Sequence, residues 1–560
     1  MDADVLPYHW DDRAKLFSDS QYLLGFHERL LEGLAAQLNQ IHGVDHGVRY
    51  WRILIGPWLS LFVPALFDRY CSVCRALELY ELSSTIELRA ASGTMVPNDM
   101  SDFIRFHTVD EWNHQLIAAV IKWEGNLPVT RCEWSGAHRS EPSRVPGWKQ
   151  RLRERLISEY SRYASVFTRD SDAFLHTTYL PRRDELRMYR RLGQVPQMWR
   201  SVAPVQVELD SSYRDWNING LSNSEFESLV GFLLPRHLPA VYLEGYSQLI
   251  GQIGELPWPK RPSLIWTSGA MHSDDVFKSW TAEKVEQGTP LVIGQHGGHY
   301  GTGLWSLLET HETTISDCFM SWGWSEPGEP KVRPIGQLKM AYPLGVQHRK
   351  QKGALLVTCA LPRVTSWVHS VFISRQYLDY FEDQCVFVSA LPEAIRQQLM
   401  VRLFHRDYGW DQRNRWQDRF PELALDEGLT SVNDLVRRSR LYITTYNATT
   451  FLESFTMDVP TIIFWNPNHW ELRESAALFF EDLKRVGIFH ETPESAARQV
   501  AAIWDDVDSW WNSPLVQEVL ESFKERYCHL PGDLLDRIEH TLRDVMASSN
   551  DVDGEKSNRS

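Results

Sequence analysis

The chain has 560 residues, of which 43% are hydrophobic and 23% charged, with a net charge of −15. This is a globular composition with material for roughly two to four domains, and the acidic balance argues against nonspecific affinity for nucleic acid or an anionic membrane. Seven scattered cysteines, with Cys71 and Cys74 as a lone C-x-x-C in a helical pattern, point to core packing rather than zinc or redox chemistry.

The N-terminus is acidic and aromatic, without a charged-then-apolar leader. Leu23, Leu24, His27, Leu30, Leu31, Leu34 and Leu38 recur at helical spacing, as do the apolar positions from Trp58 to Leu79, so the first hundred residues read as helical. The apolar run Ile53–Leu66 is interrupted by Gly56, Pro57 and Pro64, which predicts that no segment reaches the length of a membrane span. A cytoplasmic, reduced protein is expected. Residues 125–148, rich in Gly, Ser, Pro and Arg, read as an insertion.

From Ser263 onward short apolar runs alternate with helical patterns: Ser263–Ser268, Pro290–Gly294 and Cys318–Trp322. That alternation predicts a parallel sheet in an α/β core over about 160–335. A hinge, Pro334–Lys352, divides this N-terminal unit (1–340) from a second one over 350–530. The second unit carries strands at Ala354–Ala360, Met400–Phe404, Leu441–Thr445 and Thr461–Trp465, and Ser431 opens a helix as a capping box. Helices over 514–527 and 533–545 close the chain, with a closing element at 531–547 and a disordered polar tail over 548–560.

The chemistry concentrates in two strand–turn units. Gln295-His296-Gly297-Gly298-His299-Tyr300-Gly301 comes directly after one apolar strand, where glycines admit close backbone approach and histidines move protons near neutral pH. His296, at the turn itself, is the better general base. His299, Glu309, His311, Glu312 and Asp317 lie downstream and could orient it or touch the acceptor, although His311 and Glu312 read better as satisfied polar residues at a helix end. In the second unit the strand Leu441–Thr445 delivers Tyr446, Asn447, Thr449 and Thr450 to the carboxyl edge of a parallel sheet, where such sheets bind ligands. The adjoining helix start favours a phosphate, and Glu453 could accept from sugar hydroxyls. Arg363, Arg402 and Arg406 come after strands that should end at the same edge and could bind a pyrophosphate. An H-x-x-x-H with an acidic partner on a helix, an acidic cluster resembling a cation cage, a Walker loop, a G-x-G-x-x-G turn and a G-x-S-x-G elbow do not occur.

Several blocks are familiar. Tyr8-His9-Trp10-Asp11-Asp12-Arg13, Arg49-Tyr50-Trp51-Arg52, Asp68-Arg69-Tyr70, Gln295-His296-Gly297-Gly298, Ser321-Trp322-Gly323-Trp324, Asp407-Tyr408-Gly409-Trp410 and Thr445-Tyr446-Asn447-Ala448-Thr449-Thr450 resemble those of surface-carbohydrate transferases associated with O-antigen gene clusters. The resemblance implies a GT-B-like architecture of two Rossmann-like domains facing a cleft, with a helical N-terminal elaboration. It further implies a glycosyltransferase that builds lipopolysaccharide, O-antigen or capsule without cofactor or metal. The donor, a nucleotide-sugar, would lie on the C-terminal domain against Arg363, Arg402, Arg406, Tyr446, Asn447, Thr449, Thr450 and Glu453. A glycan or lipid-linked glycan acceptor would lie on the N-terminal domain near Gly297, Gly298, His299, Arg49 and Trp51, with peripheral association at the inner face of the membrane. Family members carry a strand with Gly-Glu-Trp-Cys ahead of the Tyr-His-Trp block, and this sequence opens just before that block. The alternatives are CDP-glycerol-like polyol-phosphate transfer, a nucleotide-sugar epimerase, and a truncated non-catalytic homologue acting as a scaffold.

Overall fold

The computed structural model describes residues 4–89, 95–125, 127–133, 160, 163–164, 166–199, 201–218, 221, 223–340 and 353–557. Two long helices open the chain, α1 (Arg13–His42) and α2 (Val48–Leu79). Asp12 caps α1 by accepting the amides of Ala14 and Lys15, and Gly43 ends it at φ +65°, a left-handed stop that glycine takes without strain. Pro57 and Pro64, which interrupt its apolar run, lie inside α2. An interior proline costs a helix about 3 kcal/mol, but α2 is surrounded: every residue from Ile53 to Arg69 is buried. Near the first proline, the buried Lys278 donates to the Leu54 carbonyl at 3.0 Å. The helix is therefore long and apolar enough to cross a membrane by length and composition, which corrects the expectation from sequence, yet 94% of its most apolar stretch is buried inside the fold.

The N-terminal elaboration is not wholly helical. Strands β1 (Thr85–Arg89) and β2 (Val129–Glu133) pair in parallel around α3 (Met100–Phe106) and α4 (Asp110–Glu124). The 125–148 insertion thus contains β2, while 126 and 134–148 lie outside the described residues.

A five-stranded parallel sheet comes next, β3 (Phe174–His176), β4 (Ile265–Thr267), β5 (Leu291–Gly294), β6 (Cys318–Ser321) and β7 (Val332–Pro334), in that spatial order. The alternation of side chains across a strand divides its neighbours into two layers. Ile265, Leu291, Ile293 and Phe319 face the core shared with α2 and the Asp275–Glu286 helix. Trp266, Val292, Cys318 and Met320 face Leu534, Ile538 and Leu542 of the closing helix. That helix runs Leu534–Ser557, so the segment expected to be a disordered tail is helical through Ser557.

The second sheet contains β8 (Ala354–Val357), β9 (Leu399–Arg402), β10 (Ala424–Asp426), β11 (Leu441–Thr444), β12 (Thr461–Phe464) and β13 (Phe489–His490), all parallel. Their spatial order is β10-β9-β8-β11-β12-β13, which is 3-2-1-4-5-6 in chain order. That is the doubly wound order whose strand reversal, between the first and fourth strands, opens a ligand crevice at the carboxyl edge. Leu356, Val401, Ile443 and Ile462 pack beneath the helices Gln376–Ala390 and Pro493–Ile503. Two Rossmann-like domains meeting along their sheet edges make the architecture GT-B-like. Ser431 stands at the helix start predicted for it but makes no side-chain cap bond.

Candidate active site

The His turn and the Thr turn meet. The Gly298 amide donates to Thr449 Oγ1 at 3.1 Å, and Thr302 Oγ1 donates to Asn447 Oδ1 at 3.2 Å. Gly298 is required by this approach, because a Cβ there would stand 2.7 Å from the Ala448 carbonyl group and the Thr449 amide nitrogen. Neither threonine caps its helix: Ala448 occupies the N-cap position without a side-chain bond, and the helix runs Thr449–Thr456. The first amides of that helix therefore point toward the crevice with no side chain of their own element on them.

His296 stands at the carboxyl end of β5, its side chain 26% exposed, with Nδ1 3.4 Å from Oε1 of the buried Glu312. Burial would depress its pKa, but the nearby Glu312 carboxylate outweighs burial and holds it above the ordinary histidine value. A carboxylate on one ring nitrogen orients an imidazole and stabilises its protonated form. Tyr300 lies edge-on to His296, centroids 5.1 Å apart. Glu312, expected to be merely satisfied at a helix end, is therefore the partner of the candidate base. The signal was available: Glu309 and Glu312 are three apart on the helix Leu307–Ile315 and both are buried, and such spacing places them on one face. Glu309 accepts from the Gly301 amide at 3.0 Å and pairs with Arg473 at 2.8 Å.

The remaining residues sort differently from the expectation. His299 is half-buried and packed inward: burial pushes its pKa down to about 4, and its Nε2 lies 3.3 Å from Ser370 Oγ. Its ring fills the space above Gly303, where a Cβ would come within 2.1 Å of Cε1. Arg49 binds the Ile315 carbonyl and Asp317, at the amino end of β6 and so at the sheet edge away from His296. Trp51 is fully buried and donates to Asn39. Both are engaged within the fold, where α2 packs against α1 and the Asp275–Glu286 helix. His311 is a core residue against Gly56, where a Cβ would sit 2.7 Å from its ring.

The three arginines do not converge. Arg363 pairs with Asp110 at 2.6 Å and Arg406 donates to Thr108 at 2.9 Å, so the loops after β8 and β9 lean toward the α3–α4 corner instead of the Thr turn. Arg363 lines a cavity of about 540 Å³ with Tyr8, Asp68, Arg69 and Arg375; Thr449, Thr450 and Glu453 are not among its walls. Arg402 alone stays near the Thr turn. It donates to the Thr430 carbonyl and its charge acts on Tyr442 and Tyr446. Tyr446, whose burial lifts its phenol well above the ordinary value, accepts from Thr450 at 3.1 Å. Burial also raises Glu453, against the opposing charge of Lys339. Among the described residues no group of three or more His, Cys, Asp or Glu is placed to hold a metal ion.

A model described as the LIC12162 family transferase matches residues 1–542. The chain belongs to that family. The match, like the motif blocks, extends over almost the whole sequence. No curated protein matches the chain. Solved structures similar to this family member include TarM, with a TM-score of 0.33 and 11% identity over 50% of this chain and 54% of that one. MurG from Acinetobacter baumannii has 0.34 and 10%, over 67% and 99%. The wall teichoic acid polymerase TagF has 0.32 and 10%, over 71% and 96%. This chain spans about half the length of TarM. Scores of this size leave the fold to be read from the strand order itself.

Proposed function

We propose that the chain is a glycosyltransferase that moves a sugar from a nucleotide-activated donor to a surface-polysaccharide acceptor, of O-antigen, lipopolysaccharide or capsule type. The reading rests on one observation: a histidine paired with a buried carboxylate, at the carboxyl edge of one parallel sheet, stands beside an uncapped helix start at the carboxyl edge of the other. The helix start and its dipole suit a donor phosphate. Glu453 suits a ribose or sugar hydroxyl. His296 takes the proton of the acceptor hydroxyl, whose oxygen bonds to the anomeric carbon as the bond to the phosphate oxygen breaks. Glu312 stabilises the imidazolium, and the nucleotide leaves with the bonding pair. Thr449 Oγ1 accepts from the Gly298 amide, which leaves its own O–H to donate to a donor phosphate. The reaction so drawn uses no cofactor and no metal, and it places the protein in the cytoplasm, where nucleotide-sugars are made, against a glycan or lipid-linked glycan acceptor at the inner membrane face.

The test is a panel of UDP-, GDP-, CMP- and CDP-linked compounds in thermal shift, where a ligand at 100 Kd stabilises the fold by about 2.7 kcal/mol, with product analysis on the compound that shifts. A panel with no shift, or a shift with a CDP-polyol alone, rejects sugar transfer.

A further inference from the structure

Lys339 acts by its charge on the candidate base, and its sequence context is a featureless hinge. It lies on a single turn, Leu338–Met340, just beyond β7. That turn is held from two sides. Leu338 is fully buried over the end of β5, where a Cβ on Gly294 would come within 2.5 Å of its Cδ1. The Gln337 amide donates to the His529 carbonyl at 2.7 Å, and Gly336, at φ +137°, is covered by Pro531. The chain crossing back from the second domain therefore anchors the turn that carries Lys339.

Its side chain is aimed at the site. Nζ lies 5.0 Å over the Tyr179 ring, and that ring stands 6.3 Å from His296 between centroids. Tyr179 is held in place at a cost: its φ is +65°, a left-handed conformation that a bulky residue rarely adopts. Gly269 leaves room for its hydroxyl, which a Cβ there would meet at 2.7 Å. Tyr179, His296 and Lys339 thus come from the carboxyl ends of β3, β5 and β7, and the Lys339 charge reaches both His296 and, across the crevice, Glu453. The other cations of the region are engaged: Arg363 with Asp110, Arg402 with Asp426 and Thr430, Arg473 with Glu309 and Glu326. Lys339 has no carboxylate within ion-pair distance among the described residues.

A transfer that breaks a bond to a diphosphate leaves negative charge on the departing oxygen, and positive charge placed beside that oxygen stabilises it. We propose that Lys339 is the ligand of the donor's diphosphate, reaching it from the N-terminal domain while the Thr449–Thr456 helix start holds it from the C-terminal one. This rests on the nucleotide-donor reading above and assigns the phosphate contact that Arg363 and Arg406 were expected to make. Lysine suits the task, as a point charge on a flexible stem able to follow the charge as the bond breaks.

The experiment is calorimetric titration of the full chain with UDP, GDP, CDP and CMP and with the matching nucleosides, for the wild type, Lys339→Gln and Lys339→Arg. The expected result is that one diphosphate binds the wild type, that Lys339→Gln weakens it about 10- to 100-fold without changing nucleoside affinity or the thermal midpoint, and that Lys339→Arg recovers most of the loss. Equal diphosphate affinity in wild type and Lys339→Gln overturns the assignment and leaves the transferase reading standing. A wild type that binds none of the nucleotides overturns both.

Discussion

At the scale of single residues, the His296–Glu312 pair is the feature with the clearest consequence. A general base contributes roughly 10²–10⁴ in rate, so His296→Ala should lower kcat by that factor while nucleotide affinity stays near wild type. Undiminished turnover would leave His296 a turn residue. The pair also predicts a pH dependence. His296 works as a base only when neutral, and the Glu312 charge raises its pKa against burial, so the rate should rise with pH through a value above that of an ordinary histidine. In Glu312→Gln the burial remains and the charge is gone. The acid limb of the pH–rate profile should then move to lower pH, with a reduced plateau because the ring is less well oriented; an unmoved limb would show that the carboxylate does not set the pKa. Since the folded-state pKa is raised, the pair's contribution to stability is fully present below the unfolded-state value and is lost as pH rises through the folded one.

At the scale of elements, the contact of turn with helix decides how the two domains register. Gly298 is backed by main-chain atoms of Ala448 and Thr449, which cannot swing aside as a flexible side chain could. Gly298→Ala should therefore push the His turn off the helix start. Overpacking of this kind costs about 1–3 kcal/mol, and a misplacement of about 1 Å at a reacting centre can cost about 10² in rate. The expected outcome is a large fall in kcat with a small fall in thermal midpoint. A midpoint that drops steeply with kcat preserved would mean that the contact serves stability alone. The neighbouring Gly297 has open space at its Cβ position, so Gly297→Ala is the control at which crowding predicts little change.

For the molecule as a whole, the last helix completes the first domain. Ile538 and Leu542 cover the face of the first sheet that carries Trp266, Val292 and Met320, although they lie far from those strands in the chain. Arg191 reinforces the closure through Asp536 and Glu539. Elsewhere the domains are tied by Arg473, which bridges Glu309, Glu326 and the Gly303 carbonyl, and by Arg13, which grips Glu471. Ile538→Ala should destabilise the protein by about 2–5 kcal/mol, seen as a lower denaturant midpoint. His540→Ala, on the exposed side of the same helix, should stay within about 0.5 kcal/mol of wild type. Equal midpoints for the two variants would mean that the closing helix does not pack as described.

The sequence by itself determined what local physics controls. Apolar runs bounded by turn residues placed β4, β5, β6, β8, β9, β11 and β12, and the periodicity of leucines placed α1. The two strand–turn units that carry His296 and Thr449 were equally legible, because the end of a parallel strand delivers its next few residues to the sheet edge. The elements that escaped were short or context-dependent. β3, β7, β10 and β13 are two or three residues long and, unlike the equally short β4, do not sit in an apolar run bounded by turn residues. β1 and β2, five residues each, lie in stretches that read as helix and insertion, and α2 runs through its prolines because burial on all sides outweighs their local cost. Only the tertiary structure decided which polar residues converge. It joined Glu312 to His296, brought Lys339 out of the hinge, and turned Arg363 and Arg406 toward the α3–α4 corner. Residue type states what chemistry a side chain can do; where its loop leans depends on packing against elements hundreds of residues away, and that is not written in any local pattern.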